Sequence, residues 1–251
     1  MPDRNELSGR VAVVTGAGRN IGRAIALALA AGGAAVIVNA RSNREEAQAV
    51  AREIESKGGR ALAWLADVAD VEAVETMLAA AVEHFGRVDT LINNAALRRE
   101  QPLGEMTFAE WRGILRVILD GAFHCVKAAL PQLRASGAGA IVNIGGLNAH
   151  TGAKHRVHVV TAKAGLVGFT RALAHDLAAD GITVNCVAPG LIGTARASGT
   201  PEPAHHRLHS TLTGNHGAPE DIAATVRFLC GPGARYITGQ TFHVNGGAFL
   251  G

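Results

Sequence analysis

Short, continuous apolar runs recur along the chain, many of them rich in β-branched residues. They are Val11–Val14, Val36–Val38, Leu62–Leu65, Leu91–Ile92, Ile141–Ile144, Thr183–Val187 and Thr241–Val244. Runs without an alternating polar face suit strands buried on both sides, as in a parallel sheet covered by helices. The Ala/Leu-rich stretch Ile21–Ala31 has helical composition, and helical segments fall between most of the other runs. Repeated strand, helix, strand units with short glycine-bearing links predict an α/β fold. It is a single doubly wound parallel sheet, because right-handed crossovers place helices over both faces. One region breaks the pattern: residues 193–217 are rich in Pro, Ser, Thr and His and read as a mobile lid rather than a packed element.

Composition narrows the class of protein. The 251 residues, 48% of them hydrophobic, bury a full core in one domain covering residues 1–251. Lys and Arg (24) nearly balance Asp and Glu (21) without a basic run, and aromatic residues make up 4%. A nucleic-acid partner is therefore not expected. Cys125, Cys186 and Cys230 lie far apart with no paired metal spacing, which favours reduced thiols in a cytoplasmic protein and no metal site. The first ten residues hold no apolar signal core, and no apolar run approaches the roughly 20 residues of a membrane span.

The candidate chemistry starts where the first strand ends. In Thr15-Gly16-Ala17-Gly18-Arg19-Asn20-Ile21-Gly22, small residues at a strand-to-helix turn let backbone amides and the positive helix end approach a pyrophosphate. Alone, such a turn is weak evidence. In register behind it come Ala66-Asp67-Val68 after the third strand and Asn93-Asn94-Ala95-Ala96 after the fourth. Pro189-Gly190 with Ile192 and Thr194, Ile237-Thr238-Gly239-Gln240 and Val244-Asn245-Gly246-Gly247 complete the series. Together these resemble the motifs of the short-chain dehydrogenase/reductases over nearly the whole chain. The first resembles that family's TGxxxGxG, with Asn20 where a glycine is usual; asparagine tolerates left-handed backbone angles.

The resemblance implies a Rossmann-type sheet and dinucleotide contacts from Thr15, Gly16, Gly18, Arg19, Asn20, Ile21, Gly22, Asp67, Val68, Asn93, Ala95, Lys163, Pro189, Gly190, Ile192 and Thr194. Taken alone, Asp67 fits a helix N-cap equally well, and Asn93 a turn. Charge decides which dinucleotide. An acid at the end of the second strand binds the ribose hydroxyls of NAD and repels a 2′-phosphate. Here the chain reads Val38-Asn39-Ala40-Arg41-Ser42, and Arg41 with Arg19 offers charge-assisted hydrogen bonds to that phosphate. NADP(H) is expected over NAD(H).

The segment that carries the reaction in that family is altered. The resemblance places a serine at Gly146, a tyrosine at Val159, a lysine at Lys163 and an asparagine at Ile118. In the family these four polarise the substrate oxygen, pass a proton, bind the nicotinamide ribose and complete a relay. Only Lys163 is retained. If its helix extends backwards, His155, Val159 and Lys163 share one face at i, i+4 and i+8, which makes His155 the better substitute proton donor. His158 would need a distorted first turn. Both also read as ordinary solvated histidines, and Lys154, Asn148, Thr151, Arg98 and Arg99 could face the same cleft. The cluster His205-His206-Arg207-Leu208-His209 lacks a carboxylate or cysteine at metal spacing and reads as part of the lid.

Three readings follow. The first is an NADP(H)-dependent oxidoreductase acting on a small carbonyl or imine with an unusual proton donor. The others are a catalytically silent NADP(H)-binding protein and a non-redox lyase or hydrolase resting on the local histidines. The resemblance also implies a homotetramer or homodimer, assembled through helices near Phe108–Leu133 and Val159–Ala179 and through the C-terminal segment.

Overall fold

The computed structural model describes residues 5–194 and 210–251. Its strands are β1 (Val11–Val14), β2 (Ala35–Ala40), β3 (Arg60–Leu65), β4 (Thr90–Asn93), β5 (Ala140–Ile144), β6 (Thr183–Pro189) and β7 (Thr241–Val244). They form one sheet in the order β3-β2-β1-β4-β5-β6-β7, parallel at every pairing. Each apolar run lies within the strand expected for it, with edges extended by up to two residues.

Helices α1 (Asn20–Ala31), α2 (Arg44–Ser56) and α8 (Pro219–Cys230) cover one face. The other carries α3 (Val71–Phe85), α4 (Phe108–Leu115), α5 (Gly121–Ala135) and α7 (Val157–Asp176), while α6 (Asn148–Thr151) is one turn after β5. The β1, β2, β4, β5 and β6 residues are buried without exception, as a doubly covered parallel sheet requires. The strand order reverses between β1 and β4, and open α/β sheets bind ligands at the carboxyl ends of the strands beside such a reversal.

Two local features shape the site. Helices α4 and α5 are joined through a π turn, Arg116–Asp120, which brings Ile118 inward. Such turns are rare and commonly lie at functional positions. The second is the base of the 193–217 segment, where Ile192 bridges Gly217, the Gly193 amide donates to the Gly217 carbonyl (2.9 Å), and the Gly217 amide donates to the Leu191 carbonyl (2.9 Å). Its two ends are held together. Most of the expected lid, including His205, His206, Arg207, Leu208 and His209, lies outside the described residues.

Candidate active site

At the end of β1 the backbone turns sharply because it must. Gly16 has φ 63° and Asn20 φ 51°, so the asparagine in the glycine motif does adopt the left-handed conformation. A Cβ on Gly22 would lie 2.2 Å from the Gly16 carbonyl oxygen, which leaves no room for any side chain. The turn is fastened from two sides. Thr15 Oγ1 accepts from the amides of Asn94 (2.9 Å) and Ala95 (3.0 Å), while Asn94 Nδ2 donates to the carbonyls of Thr15 (2.8 Å) and Gly16 (3.0 Å). From β2, Asn39 Oδ1 accepts from the Gly16 amide (3.2 Å) and Asn39 Nδ2 donates to the Ala66 carbonyl (3.0 Å).

The result is a rigid cradle below the start of α1. Helices α2, α3 and α4 have side-chain caps from Asn43, Asp70 and Thr107, whereas Arg19 at the head of α1 makes none and the first turn of α1 has no acid. This end of α1 presents a positive helix terminus toward the turn, as anion-binding helix ends do. Arg19 and Arg41 are both exposed, Arg41 immediately past the last residue of β2. Asp67 is not the helix cap that it resembled in isolation. Asp70 caps α3, and Asp67 Oδ1 accepts from the Ala69 amide (3.0 Å) in a tight turn at the mouth of β3. Val68 is buried beneath Gly121 of α5, where an added Cβ would meet the valine at 2.7 Å.

Asn93 has a different task from its neighbour. Its Nδ2 donates to Asn143 Oδ1 (2.8 Å), whose amide donates to Thr170 Oγ1 (2.9 Å), while Asn93 Oδ1 is buried with no hydrogen-bond partner. Asn94, not singled out from the sequence, ties the cradle to β4. Its signal was its place in the Asn93-Asn94-Ala95-Ala96 motif, one residue beyond the strand end. Pro189 closes β6, and Gly190 passes so close to β7 that a Cβ would lie 2.5 Å from Asn245 Cα. Ile192 is buried and Thr194 is half-buried at the start of the 193–217 segment.

One strand further, polar side chains give way to carbon. Ile118 and Val159 pack into a single buried cluster with Ile114, Ala122, Ala162 and Leu166, and Leu97 lies against it. Gly146 meets no atom within 4 Å of a built Cβ, so the space beside it is open. Lys163 lies one turn beyond Val159 on α7, half-buried, its ammonium donating to the Ile144 carbonyl at the end of β5. Burial first, then the Arg98 charge and, less strongly, the Arg156 charge, lower its pKa to about 8, with Cys186 opposing.

The histidines do not converge on Lys163. Helix α7 starts at Val157 and does not reach back to His155, which has φ 61° and is exposed. The shared helical face expected for His155, Val159 and Lys163 therefore does not form. The His155 carbonyl accepts from the Gln101 amide (2.7 Å), which fixes this turn against the loop after β4. His158 is in the first turn of α7 and fully buried (0% exposed), and neither ring nitrogen has a hydrogen bond. Burial holds His158 toward the neutral form. The Arg156 backbone and Glu110 oppose this, while the Arg156 and Arg99 charges add to the lowering. Among the described residues no cluster of three metal-ligating side chains forms, and no helix is long and apolar enough to cross a membrane.

These features have close counterparts in known proteins. The family model described as enoyl-(acyl carrier protein) reductase matches residues 16–248. The chain is 40% identical over 240 residues to the 3-oxoacyl-[acyl-carrier-protein] reductase FabG of Staphylococcus aureus, covering 95% of this chain and 98% of the relative. It belongs to the short-chain dehydrogenase/reductase family. A 3-oxoacyl-[acyl-carrier-protein] reductase of Synechocystis is 41% identical over 246 residues, covering 97% of this chain and 98% of the relative. Among solved structures, a short-chain dehydrogenase from Burkholderia cenocepacia in complex with NADP superposes with a TM-score of 0.90 at 37% identity, covering 97% of this chain and 99% of that one. A dehydrogenase/reductase from Sinorhizobium meliloti gives 0.92 at 38% identity, with 98% of each chain covered.

Proposed function

We propose that this protein is an NADP(H)-dependent oxidoreductase that reduces a small carbonyl or imine compound with a proton donor other than tyrosine. The observation that carries this reading is the cradle: an uncapped α1 N-terminus over a turn held by Thr15, Asn39 and Asn94, with Arg41 past β2 where a ribose-binding acid would stand. The residues present fit the cofactor. The Gly16-to-Gly22 approach leaves backbone for a pyrophosphate, and Arg41 and Arg19 would hold a 2′-phosphate through charge-assisted hydrogen bonds. The Burkholderia relative, similar over nearly its whole length, is a complex with NADP.

Bound there, the reduced nicotinamide supplies hydride; the chain supplies position and the proton. Lys163, held by the Ile144 carbonyl beside the open space at Gly146, is the donor that the geometry favours. With a pKa near 8 it is predominantly protonated at neutral pH and still acidic enough to give up its proton. His155, outside the helix and exposed, and His158, buried, are less well placed. The lyase or hydrolase reading loses its support with them. The silent, cofactor-binding reading keeps one observation, the carbon packing of Ile118 and Val159.

Exposed Phe108 and Phe123 (75% and 51%) on the α4 and α5 surface support assembly as a homotetramer or homodimer. The three buried free thiols support a reducing, cytoplasmic setting. The test is NADPH and NADH consumption with ketones, aldehydes and imines, alongside nucleotide dissociation constants. We expect turnover with NADPH. Arg41→Ala should weaken NADPH binding about tenfold, the effect of one exposed charge-assisted contact, and leave NADH unchanged. Tight NADPH binding with no turnover across the panel would favour the silent protein.

A further inference from the structure

Helices α2 and α4 open with the same signature and complete it differently. In each, the N-cap side chain accepts from the amide three residues on: Asn43 from Glu46 (3.1 Å) and Thr107 from Glu110 (3.2 Å). A glutamate at that third position commonly reaches back to the N-cap amide. Glu110 does so, its Oε2 accepting from the Thr107 amide (2.8 Å) and hydroxyl (2.9 Å). Glu46 does not, and among the described residues its carboxylate has neither a hydrogen bond nor an ion pair. It lies against the glycine turn instead. A Cβ built on Gly18 would stand 3.1 Å from Glu46 Cβ and 3.4 Å from Glu46 Oε2, so a half-buried acid borders the cradle beside the residue that precedes Arg19. Asn43, which fixes the Glu46 backbone, is two residues past Arg41. The acid and that guanidinium therefore belong to one short segment after β2.

Resting on the NADP(H) reading above, we propose that Glu46 is a specificity-determining residue of the nucleotide site. Its carboxylate opposes the phosphates of the nucleotide and offsets part of the attraction that Arg19 and Arg41 supply. NADH shares the pyrophosphate but lacks the 2′-phosphate, so NADPH feels more of this repulsion, and Glu46 narrows the preference between the two. No other acid is available for this role in the motif segments that flank it, because α1 has none in its first turn and residues 39–42 hold none. The charge weakens the grip without changing the shape of the cradle, since the carboxylate makes no bond to it. One partly exposed like charge has a modest effect that salt screens.

Glu46→Gln keeps the shape of the side chain and removes its charge. Fluorescence titration at low salt should show NADPH bound about fivefold to tenfold more tightly by this variant than by the wild type, and NADH tightened by less than about twofold. Added salt should shrink the NADPH gain, and stopped-flow mixing should place most of it in the association rate, as for a charge at the rim of a site. Glu45→Gln removes the exposed acid next to it on the same turn and should change NADPH affinity by less than about twofold. Loss of an acid from the first turn of α2 costs helix stability, so tighter binding is not the result that a purely structural role would give. NADPH affinity that is unchanged or weaker in Glu46→Gln overturns the proposal, as does an equal gain for NADH or an equal gain from Glu45→Gln. A wild-type protein that binds neither nucleotide overturns the cofactor reading and the proposal with it, whereas wild-type NADPH binding with no response to Glu46→Gln overturns the proposal alone.

Discussion

Between β1 and β4, nearly every polar side chain is committed to backbone: Thr15 and Asn94 to each other's chain segments, Asn39 to the glycine turn and to the loop after β3. One strand away, between β5 and α7, Ile118 and Val159 are packed in carbon, Gly146 faces open space, and Lys163 donates to the Ile144 carbonyl. The first region tolerates little change because its function is a backbone shape, and many bonds define that shape. The second is permissive because its function is carried by individual side chains, and a helix can hold almost any side chain at a given position. A scaffold built this way fixes its cofactor cradle through backbone and leaves the neighbouring cleft to individual side chains.

The largest loss should come from breaking the first region. Gly22→Ala would place a methyl group 2.2 Å from the Gly16 carbonyl oxygen, so α1 must move away from the turn. We expect NADPH affinity to fall by about 100-fold or more, the equivalent of about 2.7 kcal/mol, with the helix content by circular dichroism preserved. Fluorescence titration of NADPH measures it. An unchanged dissociation constant would mean that the cradle does not hold the pyrophosphate.

The converse experiment fills the second region. Gly146→Ser enters open space and should fold without difficulty, while Val159→Tyr must push its ring past Leu97 at the edge of the carbon cluster. Together they should raise reduction of a generic ketone by about 10²- to 10⁴-fold, the usual contribution of a positioned general acid. Nucleotide affinity should not change. A folded double variant with no gain would show that Gly146 and Val159 do not border the reacting carbonyl.

The same contrast explains what the sequence could disclose. Strands buried on both faces are largely apolar, so β1, β2, β4, β5 and β6 were visible, the partly covered β3 and β7 showed through their short apolar and aromatic stretches, and the glycine turn was visible through its small residues. Less could be read where one residue decides a boundary. His155 fell on the face of Lys163 only if the helix reached it, but the chain takes a left-handed turn there and α7 starts two residues later, with no Ser, Thr, Asp or Asn to mark the start. Asn93 and Asn94 are alike in sequence, and only the end of β4 sends one side chain under the sheet and the other to the turn. Arg156 was passed over because a lone arginine before a helix is normally solvated; its burial is a tertiary property.

The smallest expected effect locates the titratable group that belongs to the second region. Lys163 has its pKa pushed down to about 8 from the ordinary lysine value of 10.5. Below about pH 8 the lysine is charged in both the folded and unfolded chain, and the cost of keeping that charge in the cleft is fully present. Between roughly 8 and 10.5 the unfolded chain binds more protons than the folded one, so this lysine makes stability rise with pH through that window. Urea unfolding midpoints measured across the window should therefore climb more steeply in the wild-type protein than in Lys163→Met, because methionine keeps the unbranched stem but has no proton to lose. Gly22→Ala, which damages only the cradle, should keep the wild-type slope even at a lower midpoint. Parallel slopes in wild type and Lys163→Met would mean that the ammonium is solvated rather than held in the cleft, and a solvated lysine would be too weak an acid to serve as the proposed proton donor.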